Sequence, residues 1–137
     1  MRSQRESETF RHGEGTVHER AKFRLRDILS DDRWDVVPDY PLKVQVQQGP
    51  WRHMKDIRRY QHEFDIYAEK AHDNGLQSEL IVEIDGSSHQ KRIQQNKDRK
   101  AEDYAAFFFP DAKFKRIDIG ILLNPNVADA NILDLLK

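Results

Sequence analysis

The pair Asn74-Gly75, set between HEFDIYAE and ELIVEIDG, constrains this chain more than any other feature. Asn-Gly flanked by alternating apolar runs is a strong hairpin signal, because both residues tolerate the positive φ of a tight turn. In the first run His62, Phe64 and Ile66 alternate with Glu63, Asp65 and Tyr67; in the second, Leu80, Val82 and Ile84 alternate with Ile81, Glu83 and Asp85. Side chains on a pleated strand point to opposite faces in turn, so the two runs predict an antiparallel hairpin. One face is apolar and must be covered, while the other ends in carboxylates. Asp65 and Glu83 then fall on neighbouring strands.

Helical patterns supply the cover. VHERAKFRLRDI places Val17, Ala21, Leu25 and Ile28 on one stripe, with Phe23 on its flank. Ser87 and Ser88 can cap a helix over 89–109 whose inward stripe is Ile93, Lys97, Ala101, Tyr104, Ala105 and Phe108, before Pro110 stops it. In WDVVPDYPLKVQVQ the spacing predicts a first strand over 42–47, with Pro38 and Pro41 confining any earlier pairing to a sheet edge. KFKRIDIGILL reads as a further strand, LNPN as a turn, and ADANILDLLK as a closing helix docked by Ile132, Leu135 and Leu136. The expected fold class is α/β, a central mixed β-sheet flanked by helices in the order α-β-β-β-α-β with that closing helix behind it. At 137 residues there is room for one core. Residues 1–16 read as a polar amino-terminal arm and 17–137 as a single domain.

The chain has no cysteine, which excludes thiolate metal sites and thiol nucleophiles. No apolar run reaches the roughly 18 residues that span a bilayer, and the amino terminus lacks the apolar core of a signal peptide. We therefore expect an intracellular, cytoplasmic protein with no membrane partner. A net charge of −1 gives no global attraction to nucleic acid, so any phosphate contact must come from local patches. Two are present: Arg52, Lys55, Arg58 and Arg59 against Asp56, and Lys91, Arg92, Lys97, Arg99 and Lys100 against Asp98. Trp51 and His53, within the first, can stack on an unpaired base or anchor their loop.

Opposite positions on paired strands lie roughly 4.5–5.5 Å apart at Cβ, so Asp65 and Glu83 come within reach of one divalent cation. Carboxylate oxygens suit Mg²⁺, with Mn²⁺ as a substitute. Such an ion can polarise a phosphate and lower the pKa of a bound water. Either acid alone is ordinary on a solvated strand face; the pair is what points to a site.

That order of elements, with an aspartate in FDIY and a glutamate in IVEIDG on the following strand, resembles the PD-(D/E)XK nuclease superfamily, which includes many restriction endonucleases and archaeal Holliday junction resolvases. EIDGSSHQ, followed by a basic helix and a strand, resembles more closely the branch related to very-short-patch repair endonucleases, where E-x-D-G…H is common. The resemblance spans 17 to about 119. It implies a restriction-endonuclease-like core and Mg²⁺-dependent endonuclease activity on DNA. Asp65 and Glu83 would be metal ligands, with the Ile84 carbonyl a third, and Glu19 would hold a metal water. Asp85 stands where the superfamily's lysine is usual, either as a further ligand or general base, or with the cation moved to Lys97 or Lys100, the latter spaced i, i+4 from Tyr104. His89 matches the branch's histidine. Trp51, Arg52, Lys55, Arg58, Arg59, Lys91 and Arg92 would contact DNA. Cutting two strands needs two sites, so a homodimer is expected, joined near Phe107–Phe109 or the closing helix. Two other readings stay open on the residues alone: a DNA-binding module that keeps the fold without catalysis, and an interaction protein whose acidic face is merely solvated.

Overall fold

The computed structural model describes residues 15–42, 62–86 and 91–137, with the backbone alone for 91–99. Helix α1 (Gly15–Asp31) leads into β1 (Asp35–Pro41). The hairpin strands are β2 (Glu63–Ala71) and β3 (Gln77–Asp85). Then come α2 (Lys91–Phe108), β4 (Ala112–Asp118), α3 (Ile119–Leu123) and α4 (Asp129–Leu135). The sheet has the order β1-β2-β3-β4; the first three strands are antiparallel and β4 runs parallel to β3. A parallel neighbour cannot be reached by a tight turn, and α2 makes the crossover. The protein is thus α/β, a four-stranded mixed sheet flanked by helices. No helix among the described residues is long and apolar enough to cross a membrane.

Both faces of the sheet are covered. On one, Ala21, Leu25, Ile28 and Leu29 of α1 pack with Leu122, Ile132 and Leu136 against Ile66, Ala68, Leu80, Val82, Ile84 and Ile117. On the other, Ala101, Ala105, Phe108 and Phe109 pack against Leu42, Phe64, Tyr67 and Ile81. This is why β3 carries the unbroken apolar run Leu80-Ile81-Val82, as strands buried on both sides do. The hairpin closes at Asn74-Gly75 as its sequence predicts: Gly75 has φ 85°, and Asn74 Oδ1 accepts from the Leu76 amide at 3.1 Å.

Several boundaries differ from the sequence expectation. The first described strand is 35–41, ahead of the expected 42–47; Pro38 is accommodated because β1 is the outer strand among the described ones. Of the expected segment only Leu42 is described, and it is buried. The strand after α2 stops at Asp118, whose Oδ1 accepts from the Gly120 amide at 2.8 Å and caps α3, so Ile119–Leu123 is helical rather than extended. Helix α2 ends at Phe108, since Pro110 disfavours helical geometry at Phe109. Leu135 is exposed, about 100° round the helix from Leu136, which docks with Ile132. Val17, at the start of the α1 stripe, is also exposed.

One irregularity positions the candidate site. Phe64 and Tyr67 share the α2 face of β2 while Ile66 faces α1, so the alternation reverses at Asp65. In β1, Val36 packs on the α1 face and Tyr40 on the α2 face, and between them Asp39 has φ 53°. The flanking register pairs Pro38↔Ile66 and Tyr40↔Phe64 set Asp39 opposite Asp65. Both strands change face at the same level.

Arg24 fastens the carboxy-terminal segment to α1. Its Nη1 donates to the carbonyls of Leu122 and Asn124, both at 2.9 Å, and its Nη2 donates to Val127 O at 2.6 Å and Asp129 Oδ1 at 3.2 Å. Only a planar fork reaches so many acceptors at once. We expect Arg24→Ala to lower stability by about 2–4 kcal/mol and Arg24→Lys by about 1–2 kcal/mol, read from urea midpoints. A lysine variant as stable as the parent would show that charge, not the fork, matters.

Candidate functional site

Asp65 and Glu83 meet where the β2–β3 ladder ends. The register runs from Ala71↔Gln77 to Ile66↔Val82, and beyond it the Ile84 amide donates to Asp65 Oδ2 at 2.8 Å. Glu83 Oε1 lies 3.0 Å from His62 Nε2, where the ring N–H donates to the carboxylate. The side chains of Asp65 and Glu83 are 14% and 13% exposed, sheltered but reachable by a small ion. Burial pushes the Asp65 carboxyl up to about 7; the charge of Glu83 adds to the rise, and the Ile84 amide opposes it. Burial lowers the His62 imidazole, against an upward pull from Asp65 and Glu63.

The amino-terminal half of α1 lies against this pair. His18 Nε2 is 3.8 Å from Asp65 Oδ1. One turn on, Lys22 is the only buried charged residue among those described; its Nζ is 3.2 Å from Glu19 Oε2 and bound to Asp39 Oδ1. Asp85, next on the same face as Glu83, has Arg116 Nη1 at 3.8 Å from its Oδ1. Tyr104 of α2 sets its ring 5.9 Å from that of His62.

Of the residues singled out from sequence, the structure brings together Asp65 and Glu83, and places Glu19 one residue from His18. Ile84 contributes its amide to Asp65. Lys100 is exposed, and no ion pair joins it to either carboxylate among the described residues. His89, Trp51, Arg52, Lys55, Arg58 and Arg59 lie outside the described residues, as do the side chains of Lys91, Arg92 and Lys97. Sequence reasoning missed His18, Lys22, Asp39, His62 and Arg116. Lys22 had a readable signal: it is spaced i, i+3 and i+7 with Leu25 and Leu29, a lysine within an apolar stripe. Asp39 had none, because its importance depends on a strand reversal.

Comparison with family models, with curated proteins and with solved structures gives no match for this chain.

The donor set fits a hard divalent ion. It offers anionic oxygens from Asp65 and Glu83, each steered by a neighbour. Among the described residues no group of three or more His, Asp or Glu side chains is arranged to hold a metal. Two carboxylates with waters and phosphate completing the shell is how Mg²⁺ is commonly held.

The raised Asp65 carboxyl has a consequence for stability. Between pH about 4 and about 7 the folded chain holds a proton that the unfolded chain has released, so raising the pH across this window favours unfolding. The metal-free protein should therefore lose stability from pH 4 to 7 through this group, and Asp65→Asn should flatten that slope. Urea titrations at several pH values read it; an unchanged slope in Asp65→Asn would remove the strained pair as its source.

Proposed function

We propose that this protein is a metal-dependent endonuclease acting on DNA. The observation that carries the reading is the contact between Asp65 and Glu83, which holds two partly buried carboxylates together at a cost that a divalent cation would relieve. The element order around them, and their places on consecutive strands, agree with the resemblance to PD-(D/E)XK nucleases. Asp65 and Glu83 would hold Mg²⁺ or Mn²⁺, which when bound supplies a Lewis acid for the phosphate and an activated water.

The chain's own residues prepare that chemistry. The Ile84 amide and His62 fix the two carboxylates in place. Arg116, beside Asp85, supplies positive charge on the neighbouring strand, 26% exposed and within the sheet end where a phosphate would approach. Lys100, exposed on α2 one turn before Tyr104, offers a further backbone contact. Phe107 and Leu135 remain exposed, and a second copy of the chain covering either surface would bring two sites to one duplex.

Incubating the protein with single-stranded, duplex and branched DNA in Mg²⁺ or Mn²⁺ tests the reading. Cleavage should fall by more than about 100-fold in Asp65→Ala and Glu83→Ala, and about 10- to 100-fold in His62→Ala, which leaves the ligands but loosens one. DNA retarded on a gel yet intact with every cation would favour the binding module over the enzyme, and neither binding nor cleavage would leave an interaction protein.

A further inference from the structure

The hairpin-turn end of the sheet, away from Asp65 and Glu83, holds a cavity of about 370 Å³ between the turn, the end of α1 and α4. Lys70 on its border stands about 17 Å along β2 from Asp65. The floor is apolar: Leu29, Leu80 and Leu136 are buried, and Leu133 and Trp34 are half-buried beside them. Close-packed interiors leave few voids larger than a water, and sites for small organic ligands span roughly 300–1,000 Å³ with such a lining and a few polar groups. One wall is fixed by its own contacts. Asp32 Oδ2 accepts from Trp34 Nε1 at 3.3 Å and from Lys70 Nζ at 3.4 Å, and Lys70 Nζ lies 5.7 Å from the centre of the Trp34 ring.

The charge at the border decides what such a cavity can take. Glu79 lines it, but its Oε2 accepts from the Tyr67 hydroxyl at 2.6 Å, and Tyr67 packs on the opposite face of the sheet. Lys70, Lys113 and Lys137 then stand against Asp32 and Asp111, a surplus of positive charge. Lys70 is engaged by Asp32 and Lys137 by Asp134, at 3.4 and 3.2 Å, whereas Lys113 has no ion pair among the described residues. An apolar chamber with an ammonium left over at its rim complements an amphipathic anion. We infer that this cavity binds an organic acid with an aliphatic body, its carboxylate on Lys113 and its chain over the leucine floor.

Calorimetric titration of the full chain with octanoate, beside octanol and octylamine, tests the inference. The parent should take up one octanoate per chain, about 10-fold or more tighter than octanol, the worth of one charged hydrogen bond. Octylamine should give no saturable heat. Lys113→Glu, at an exposed position, should lose the preference for octanoate while still binding octanol. Trp34 reports the place: in Trp51→Phe it is the only tryptophan left, and its emission should shift as octanoate fills the cavity. No saturable octanoate binding by the parent, an undiminished preference in Lys113→Glu, or binding that leaves the Trp34 emission unchanged overturns the inference. Thymidine 5′-phosphate bound more tightly than octanoate also overturns it, in favour of a nucleotide. The inference does not depend on Asp65 and Glu83 as metal ligands, and Glu83→Ala should bind octanoate as the parent does.

Discussion

The hydrogen bond from the Ile84 amide to Asp65 Oδ2 is the point on which the rest of the molecule turns. Up to Ile66↔Val82 the two central strands are joined backbone to backbone; beyond it a side chain takes the place of a carbonyl. A buried amide must find an acceptor, and an aspartate that supplies one is held at a fixed place in the interior. From that substitution follow the reversal of faces in β2, the nearness of Asp65 to Glu83, and the raised carboxyl. The local interruption of the ladder and the chemistry of the site are one feature.

Helix α1 answers that interruption. Its first half brings His18, Glu19 and Lys22 to the acidic end, and its second half inserts Leu25, Ile28 and Leu29 into the core. Arg24, between them, grips the turn that leads to α4. The apolar half supplies docking energy, of order 1.5–3 kcal/mol for each fully buried Leu or Ile side chain. That energy offsets the desolvation of a lysine on the same helix. Packing in one half thereby sustains charge in the other.

The sequence makes the hairpin, both flanking helices and the order of strands legible, because each rests on local signals: Asn74-Gly75, a helical stripe, Pro110. It also makes the Asp65–Glu83 pairing legible, since pairing follows from the turn. The start of β1 was hidden because Pro38 and Pro41 weigh against a strand unless the strand is known to lie at an edge. The partners of the acids were hidden for a different reason. Lys22 meets Asp39 across 17 positions of chain, where a helix crosses a strand, and His62 reaches Glu83 across 21. Alternation in a single strand says which face a residue occupies only while the strand stays regular, and here it does not. Phe64 reads as a neighbour of Ile66 and lies on the opposite side of the sheet.

The two outer strands are guarded differently. In β1, Pro38 has no amide hydrogen to offer an incoming chain, and the turn at Asp39 bends the strand away from a straight template. In β4, Lys113, Lys115 and Arg116 line the margin, so two such margins brought side by side would repel. Among the described residues the sheet's two margins are therefore poor templates for strands from other molecules. With so apolar a central hairpin, it is the borders of the described sheet rather than its bulk that oppose strand-by-strand propagation.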